Sequence, residues 1–456
     1  MSGMGGLQRT AFPMPVEVSV SEQLVSALSH INRAAALERM CYNIETRRRL
    51  SLVVFTKVLD CLRCVMANKT LSLKRSIEAP CELVYRAFTN ATLLREWFCD
   101  VAIAQPRVGG RFYCQWHDGR AIMGKYTALL PARKIAFELR GDEDGYYSQC
   151  TIVLSSKDDV TALQLTDSSE SKAWAKSIEE TEARWNLALD NLKSVLETGI
   201  DQRLAQRPTL GVTVDAMRPG EEGLRVSSVS EDSVLQVGDV ILSINGKKLN
   251  GEWGLSDALE GYTAGDKVKV TFRRNGKTMN ATIKLSASPL PEVPASAEEL
   301  AEIVARRYTE VNRDLTQAFK GVSEERAARA PAPGQWSARH ILAHLIVEER
   351  NLHAWLTDII AGNEPWYDAQ TDSLRVRLDA VINGFPTIQA LLTELKRNEA
   401  ETVALLNALP DEFVARKGSY YRLAVRMLNW PDHAREHLSQ ITAAVKAVLP
   451  SAMPAF

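Results

Sequence analysis

The chain has 456 residues and a formal charge of −1, with ordinary fractions of hydrophobic and charged residues. A chain of this length predicts about three globular domains, because domains average roughly 150 residues. The near-neutral charge excludes the strongly basic class that binds nucleic acid or an anionic membrane surface through net charge, so we expect no nucleic-acid partner.

The pattern of cysteines and of apolar segments indicates the cellular compartment of the protein. Seven cysteines, an odd number, are scattered between positions 41 and 150, which is not the pattern of a disulfide framework. The apolar stretch at residues 50–65 is interrupted by charged residues, whereas a membrane-spanning helix needs about 20 mostly apolar residues. We therefore predict a cytoplasmic protein with no membrane span.

Residues 1–66 form a leader that matches nothing later in the chain. Residues 21–40 have the apolar spacing of one amphipathic helix, and Met66 resembles a natural protein start. Two interpretations remain open: an upstream-extended, poorly ordered leader, or a helix that binds a partner or a membrane surface.

Residues 67–199 predict an α+β domain of the helix-grip type. A strand at 71–77 ends before Pro80, a short helix follows, and several antiparallel strands run between 111 and 166. A single long helix over about 169–198 closes the unit with an apolar stripe. A sheet packed on a long final helix buries the apolar face of both elements.

Short strings in this region follow a known pattern in order. They are Ile77-Glu-Ala-Pro80, Val84-Tyr-Arg-Ala-Phe88, Trp97-Phe98, Val108-Gly-Gly-Arg-Phe112 and Gly124-Lys-Tyr126. The region resembles the START-like (SRPBCC) superfamily, and most closely its branch of heat-shock-protein-90 ATPase activator homologues. The resemblance implies a sheet curled around the final helix, with an apolar cavity for a small molecule or a surface for a chaperone. The candidate cavity-lining residues, which alternatively just fill a core, are Trp97, Phe112, Trp116, Phe137, Trp174 and Trp185.

Residues 203–288 predict a small β-rich domain. Its most diagnostic string runs from Leu235 to Gly246, where a Gly-Asp turn leads a buried strand into an Asn245-Gly246 hairpin. The region resembles a PDZ domain of the bacterial HtrA-like arrangement, although segment 230–235 departs from the usual alanine- and glycine-rich turn. No serine-protease motif accompanies it.

The PDZ resemblance implies a groove that takes the C-terminus of a protein or peptide by strand addition. A PDZ fold that serves only as a spacer is the alternative. The residues that correspond to the groove are Leu210, Gly211 and Val212 for the carboxylate-binding loop, Thr213 and Val214 for the pairing edge, and Leu255 and Leu259 for the helix wall.

Residues 289–295 form a proline-rich linker that we expect to be semi-stiff and solvated. Residues 296–449 then predict an all-α four-helix bundle, with Ser337 suited to cap the second helix. Pro386 and Pro431 are expected to kink or interrupt the third and fourth helices. The predicted helices cover about 297–319, 338–361, 373–408 and 420–449.

Histidines are concentrated in this bundle. His433 and His437 are four residues apart, so they share one face of a helix. His344 lies on the apolar face of the second helix, so all three imidazoles should point into the bundle. Three imidazoles from two facing helices form a donor set that holds a divalent metal and leaves one position open.

Two strings carry a resemblance to the DinB-like family: Gln335-Trp-Ser-Ala-Arg-His-Ile-Leu-Ala-His344 and Asp432-His-Ala-Arg-Glu-His437-Leu-Ser-Gln440. The resemblance implies a divalent metal, zinc or nickel before others, on His344, His433 and His437. It also implies kinship with thiol-dependent transferases and isomerases, while many members have no assigned reaction. Histidines kept as buried polar residues without turnover are the alternative. Glu348 is a candidate base beside the site, and His340 is expected to cap the helix or face solvent.

Two hypotheses for the whole chain follow. In the first, the protein is a binding adaptor whose three domains hold an apolar ligand or chaperone, a peptide C-terminus and a divalent metal. In the second, it is a metal-dependent enzyme, with thiol transfer or hydrolysis in the bundle. The residues indicate neither a substrate nor a catalytic group beyond the metal ligands.

Overall fold

The computed structural model describes residues 69–141, 147–214, 222–249, 254–365 and 375–447. The leader predicted for residues 1–66 lies outside these described residues. Within them, no helix combines the length and the apolar composition needed to cross a bilayer.

The first domain is built on a seven-stranded antiparallel sheet with strand order β1-β7-β6-β5-β4-β3-β2. Side chains alternate across it, so that one face of β7 buries Leu163, Leu165 and Asp167 while the residues between them are more exposed. Strand β2 was absent from the prediction, because none of its four residues is fully buried and no alternation marks it. The strands are β1 (Lys69–Ile77), β2 (Val101–Ala104), β3 (Arg111–Gln115), β4 (Ala121–Leu130), β5 (Lys134–Gly141), β6 (Tyr147–Lys157) and β7 (Val160–Ser169).

Helix α4 packs against this sheet with an apolar stripe that includes Trp185, Leu189 and Leu192. The predicted single helix over about 169–198 is two helices in the structure. Strand β7 continues to Ser169, and Ser171 caps a short helix before the break at Ser177. The helices are α1 (Cys81–Thr89), α2 (Ala91–Trp97), α3 (Lys172–Lys176), α4 (Ile178–Thr198) and α5 (Gln202–Ala205).

The second domain has a sheet with strand order β14-β13-β11-β10-β9, with β12 paired to β11. Asn245 and Gly246 have φ values of 48° and 82°, the left-handed pair that a two-residue hairpin turn requires, as predicted. Strand β9 is an edge strand of this path. The elements are β8 (Pro208–Thr209), β9 (Val212–Val214), β10 (Leu224–Val229), β11 (Val240–Ile244), β12 (Lys247–Lys248), α6 (Gly254–Leu259), β13 (Lys267–Arg274), β14 (Lys277–Lys284) and β15 (Ser286–Ala287).

The two ends of the second domain lie side by side. Strand β8 at its start pairs with β15 at its end, in antiparallel register. The backbone N–H of Ser288 donates to the carbonyl of Arg207 at 2.9 Å. The chain therefore enters and leaves this domain at one place.

The third domain is a bundle of four long helices. Each helix packs on two neighbours, in the cyclic order α7, α11, α9 and α13. Helix α9 has the predicted bounds, and the hydroxyl of Ser337 accepts from the N–H of His340 as its cap. The helices are α7 (Ala297–Ala318), α8 (Glu324–Ala328), α9 (Ala338–Ala361), α10 (Arg375–Gly384), α11 (Ile388–Asn407), α12 (Asp411–Val414) and α13 (Lys417–Ala447).

The two prolines behave differently. Pro386 divides the predicted third helix into α10 and α11, and Thr387 caps the second of these. Pro431 lies inside α13 without ending it. A proline removes one hydrogen bond to the preceding turn, and α13 packs on both α7 and α9 along its length.

The N-terminal part of α13 joins the bundle to the first domain. The Ser419 hydroxyl donates to the buried Glu96 carboxylate at 2.7 Å. Arg422 lies 3.4 Å from Glu96 and 2.9 Å from Glu364, and Arg95 contacts Glu364 at 3.0 Å. Glu96 and Arg95 belong to α2, whereas Arg422 and Glu364 belong to the bundle. We call these four charged residues and Ser419 the ionic junction.

The linker at 289–295 is mostly exposed, and it is also held by hydrogen bonds from the bundle. The Tyr420 hydroxyl donates to the carbonyls of Pro294 and Ser296 at 3.0 and 2.7 Å, and the Tyr421 hydroxyl donates to that of Pro291 at 3.1 Å. Helix α13 thus holds the linker through its backbone carbonyls.

Candidate metal centre

Three histidines meet inside the bundle. His344 is on α9, and His433 and His437 are one turn apart on α13. The Nε2 atoms of His433 and His437 are 3.0 Å apart, and the ring centroid of His344 is 5.3 and 4.9 Å from those of His433 and His437. The structure therefore brings together the three residues that the helical phase placed on facing apolar surfaces.

The spacing of these nitrogens suits a bound cation. One ring nitrogen from each histidine lies within 4.8 Å of the other two. A tetrahedral zinc ion with Zn–N bonds of about 2.0–2.1 Å places its nitrogen ligands about 3.3 Å apart. The 3.0 Å between the Nε2 atoms of His433 and His437 is close to that separation, so the donor set fits a divalent metal with a further coordination position left over.

The neighbours of the cluster orient its rings. Gln440, one turn beyond His437, lies with its side-chain oxygen 3.0 Å from His437 Nδ1, which leaves Nε2 directed at the cluster. The Trp336 ring packs 5.1 Å from the ring of the buried His344. Burial lowers the pKa of His437, against the opposing effect of Gln440, and so favours the neutral form that binds metals.

A second polar group in the bundle was not predicted. Glu349 is buried and accepts hydrogen bonds from the Trp430 indole at 2.7 Å, the Tyr308 hydroxyl at 3.0 Å and the Thr402 hydroxyl at 2.9 Å. Burial raises the pKa of Glu349, although these donors resist the shift. The Trp430 ring lies 5.8 Å from that of His433, so Glu349 reaches the cluster through one side chain.

The sequence contains a signal that Glu349 is buried. It occupies an inward position in the series Leu342, Leu345, Glu349, Leu352 and Leu356, whose other members are apolar. A lone acid in such a series is buried and needs partners. The predicted base was its neighbour Glu348, which is half-buried and contacts Asn351.

The remaining bundle histidines make other contacts. His340 bonds through its ring to the Ser337 hydroxyl at 2.6 Å and to Asp379 at 3.0 Å. His353 lies 2.9 Å from the Thr402 hydroxyl. Both contribute to helix contacts outside the three-histidine cluster.

The residues assigned to a peptide groove lie along one side of the second domain. Val212, Val214 and Leu255 are half-buried at the rim of the core, Leu210 and Leu259 are inside it, and Thr213 is exposed. Gly211 has φ of +70°, and a Cβ there would lie 2.5 Å from the Ser230 hydroxyl. Only glycine suits this position without strain.

The first domain contains a cavity of about 370 Å³ between α4 and the sheet. Of the six candidate lining residues, Trp97, Trp116 and Trp185 lie in its wall. Phe112 and Phe137 stack on each other at 4.9 Å in the core, and Trp174 is fully buried. These last three side chains belong to the core of the domain and do not line the cavity.

Three family models match separate parts of the chain. Residues 78–197 match "Activator of Hsp90 ATPase homolog 1-like protein", residues 208–285 match "PDZ domain", and residues 307–441 match "DinB superfamily". These ranges correspond to the three structural domains described above.

Comparisons with individual proteins cover parts of the chain. A "Probable periplasmic serine endoprotease DegP-like" from Pseudomonas putida is 39% identical over 84 residues, and the same-named protein of another strain is 38% identical. The chain spans 18% of the length of these curated relatives, and the match covers 18% of this chain.

Solved structures match the first domain. Protein CV1439 from Chromobacterium violaceum is 27% identical with a TM-score of 0.26, over 28% of this chain and 95% of that one. An HSP90 activator from Plasmodium falciparum is 24% identical with a TM-score of 0.24, over 28% and 95% of the two chains. The Aha1 dimer from Colwellia psychrerythraea is 20% identical with a TM-score of 0.26, over 28% and 96%. By its family-model matches and its folds, the chain carries an activator-homologue START-like domain, a PDZ domain and a DinB-superfamily bundle, in that order.

Proposed function

We propose that the protein is a multidomain adaptor. Its START-like domain holds an apolar ligand or a chaperone surface, its PDZ domain takes the C-terminus of a protein or peptide, and its bundle binds a divalent metal. The observation that carries the proposal furthest is the three-histidine cluster, since a ring nitrogen from each histidine lies within 4.8 Å of the others.

His344, His433 and His437 would hold the metal, zinc or nickel before others, because neutral imidazoles suit both ions. Gln440 fixes the ring orientation of His437, and the burial of His344 excludes water from its side of the site. When bound, such an ion supplies an open position that lowers the pKa of a coordinated water or thiol.

The metal content of the purified full chain tests this. We expect about one zinc or nickel ion per chain in the wild type and a loss of that ion in His433→Ala, because two imidazoles hold a divalent ion poorly. His353→Ala is the matched control, since His353 lies in the same bundle but outside the cluster. Equal metal content in His433→Ala and the control, or no metal after supplementation with both ions, would contradict the proposal.

The peptide site is supported by the edge strand β9 and by the tight backbone at Gly211. An added strand would pair with β9, and the backbone near Gly211 would receive the terminal carboxylate. A library of C-terminal peptides tests this. We expect at least one peptide to bind the wild type, and we expect that binding to be lost in Gly211→Glu. Gly276→Glu is the matched control, because Gly276 also has positive φ (+78°) but lies at a hairpin with open space around it. A library without binders, or equal loss in both variants, would refute the groove.

A metal-dependent enzyme is the second candidate. It is favoured by the hydrogen bond that His437 Nδ1–H donates to the Gln440 side-chain oxygen, because such outer bonds orient metal ligands. Turnover by metal-loaded protein with a panel of low-molecular-weight thiols and electrophiles distinguishes an enzyme from a binding protein; no turnover with any of them leaves the adaptor.

The thiols support a cytoplasmic location, which we also propose. Cys99 and Cys114 are buried, free and close enough for Cys99 to help raise the pKa of Cys114, after the larger effect of burial. Neighbouring buried thiols that stay reduced suit a reducing compartment.

A further inference from the structure

The outer face of the PDZ sheet carries most of the basic residues of that domain. Side chains alternate along β13, so Val268, Val270 and Phe272 are buried and the residues between them point outward. Residues directly opposite each other on paired strands share a face, so the strand registers identify the rest of the outward set. The basic members of this outer face are Arg225, Lys248, Lys267, Lys269, Arg273 and Lys284.

Acidic residues are separated from this outer face. Residues 208–288 contain equal numbers of basic and acidic residues, so the net charge of the domain conceals the arrangement. Among the described residues, one carboxylate forms an ion pair with the set, that of the exposed Glu222, 4.0 Å from Arg273. The Asp266 carboxylate, at the start of β13, accepts from the backbone N–H and the hydroxyl of Thr263 instead. The other positions of the same rows are Val240, Ser243, Thr271, Thr278, Asn280 and Thr282.

Two lysines of the outer face lie directly opposite each other. Lys267 on β13 pairs with Lys284 on β14, and Lys269 is two residues further along the same face. Like charges at directly opposed positions destabilise a sheet, whereas an acid at either position would stabilise it. A departure from this local rule is typical of a surface that serves a partner, and the partner that suits clustered cations is a polyanion.

The shape of the outer face distinguishes between polyanions. Its cations extend over four strands and from Lys267 to Arg273 along β13, an area of about 14 by 20 Å at the usual strand and residue spacings. No aromatic residue occupies the rows that the registers define, so nucleic-acid bases have nothing to stack on. Nucleic acid presents its phosphates along lines, whereas an anionic bilayer presents them over a plane, as this face presents its cations.

We propose that the outer face of the PDZ sheet docks on an anionic phospholipid bilayer. The negative potential of such a surface attracts basic side chains, and ordinary salt limits that attraction to a distance of about 10 Å. Val240 is the one apolar residue in the rows of this described face, so the contact is electrostatic and reversible, without insertion of large apolar side chains.

This surface is separate from the groove proposed for a peptide. That groove lies at the edge strand β9, whereas Lys267 and Lys284 lie on β13 and β14 at the opposite side of the sheet. One PDZ domain has room for a bilayer and a peptide at the same time, and the failure of one site leaves the other unaffected.

Co-sedimentation of the full chain with lipid vesicles tests the proposal. Vesicles of equal parts phosphatidylcholine and phosphatidylserine should bind the wild type at low salt, and vesicles of phosphatidylcholine alone should not. Binding should weaken as salt is added, because the salt screens the charges on both surfaces.

Lys284→Glu separates binding from folding. It places an opposite charge across from Lys267, so the sheet should become more stable while the outer face loses positive charge. We expect vesicle binding to fall about tenfold or more, with thermal unfolding at the wild-type temperature or above it. Lys277→Glu is the matched control, because it changes the net charge equally. Lys277 is exposed on the same strand but lies opposite Arg274, on the other face, so its variant should keep the wild-type affinity.

The results that would overturn the proposal are distinct. One is a wild type that ignores phosphatidylserine or binds both kinds of vesicle equally. Another is equal loss in Lys284→Glu and Lys277→Glu, which would assign the binding to net charge. A DNA duplex is measured beside the vesicles; if the wild type prefers it and Lys284→Glu loses that binding, the face takes nucleic acid and the bilayer is wrong. If circular dichroism shows Lys284→Glu to be unfolded, Lys269→Glu, opposite Thr282 on the same face, decides.

Discussion

The START-like domain and the PDZ domain are attached to the bundle in different ways. The first shares the ionic junction with it, where Glu96 and Glu364 have side-chain exposures of only 5% and 10%. In the part of the chain that the structure describes, the hydrogen bonds made by residues 208–288 stay within residues 207–288. The START-like domain thus packs with the bundle, while the PDZ domain is tethered by its ends.

This difference shows that the domains that pack together are not the ones that are adjacent in the sequence. The two domains that share buried charges are separated in the chain by the whole PDZ domain, as the contact between Asn90 and the Gly362 carbonyl at 2.7 Å illustrates. Buried ion pairs constrain geometry because a charge left without its partner is costly. We therefore expect the START-like domain and the bundle to unfold together.

The largest expected effect comes from removing Arg422. In Arg422→Ala, Glu96 keeps only Ser419, and Glu364 keeps Arg95 and the Trp355 indole. Burial raises the pKa of Glu364, but Arg422, Trp355 and Arg95 outweigh burial and leave that pKa below its ordinary value. We expect the free energy of unfolding to fall by about 3 kcal/mol. Breaking a buried ion pair costs about 3–5 kcal/mol, and the lower end applies because the Arg422 side chain is 30% exposed.

Urea unfolding measures this loss. The wild type should show one transition for the START-like domain and the bundle, and Arg422→Ala should show a lower midpoint or two transitions. Arg306→Ala is the control, since its partner Glu302 is 4.0 Å away and both side chains are exposed, so it should change stability by less than about 1 kcal/mol. Equal effects of the two variants would show that the junction does not couple the domains.

An effect of similar size, but of opposite sign, is expected at Glu399 in the bundle core. Burial raises the pKa of Glu399 to about 8; Asn312 opposes this, Glu349 adds to it and Lys396 opposes it. Between its ordinary value and about pH 8 the unfolded chain releases this proton while the folded chain keeps it, so stability falls as pH rises. Glu399→Gln should therefore raise stability by on the order of 3 kcal/mol at about pH 7, and little at about pH 4.

Urea unfolding at several pH values tests this prediction. Because Glu399 lies in the bundle and not in the ionic junction, its effect can be compared with that of Arg422 at the junction. Glu401→Gln is the control: Glu401 is on the same helix but 63% exposed, so its variant should follow the wild-type pH dependence. A pH dependence in Glu399→Gln as steep as that of the wild type would show that Glu399 ionises normally in the folded protein.

The smallest effect is expected at the linker. Tyr421→Phe removes the hydrogen bond to the Pro291 carbonyl, which is exposed, so stability should fall by about 0.5–1 kcal/mol. Cleavage after Glu292 by a glutamate-specific protease should become faster, since that backbone is less restrained. Tyr262→Phe, in the PDZ domain, should leave the cleavage rate unchanged. An unchanged rate in Tyr421→Phe as well would mean that Tyr420 alone holds the linker.

The sequence predicts features that depend on neighbouring residues. The Asn245-Gly246 turn follows from two residues that tolerate positive φ, and the bounds of α9 follow from Ser337 and the apolar spacing after it. The inward direction of His344, His433 and His437 follows from helical phase, and their grouping follows from the resemblance to the DinB-like family.

Features that depend on distant residues were not predicted. Glu364 lies in a short segment after α9 without periodicity, and nothing in its neighbourhood shows that Arg95 on another domain is its partner. Pro431 was expected to kink or interrupt the fourth helix; α13 is not interrupted there and packs on both α7 and α9. The hydrogen bond from the Trp185 indole to the buried Asp167 is apparent only once α4 is placed over the sheet.

The pairing of β8 with β15, together with the bond from Ser288 to Arg207, has a topological consequence. The chain leaves the PDZ domain beside the point where it enters it, so this domain adds no more distance between the START-like domain and the bundle than a short loop would. A few residues would bridge the same gap, so removal of the PDZ domain should leave the ionic junction intact.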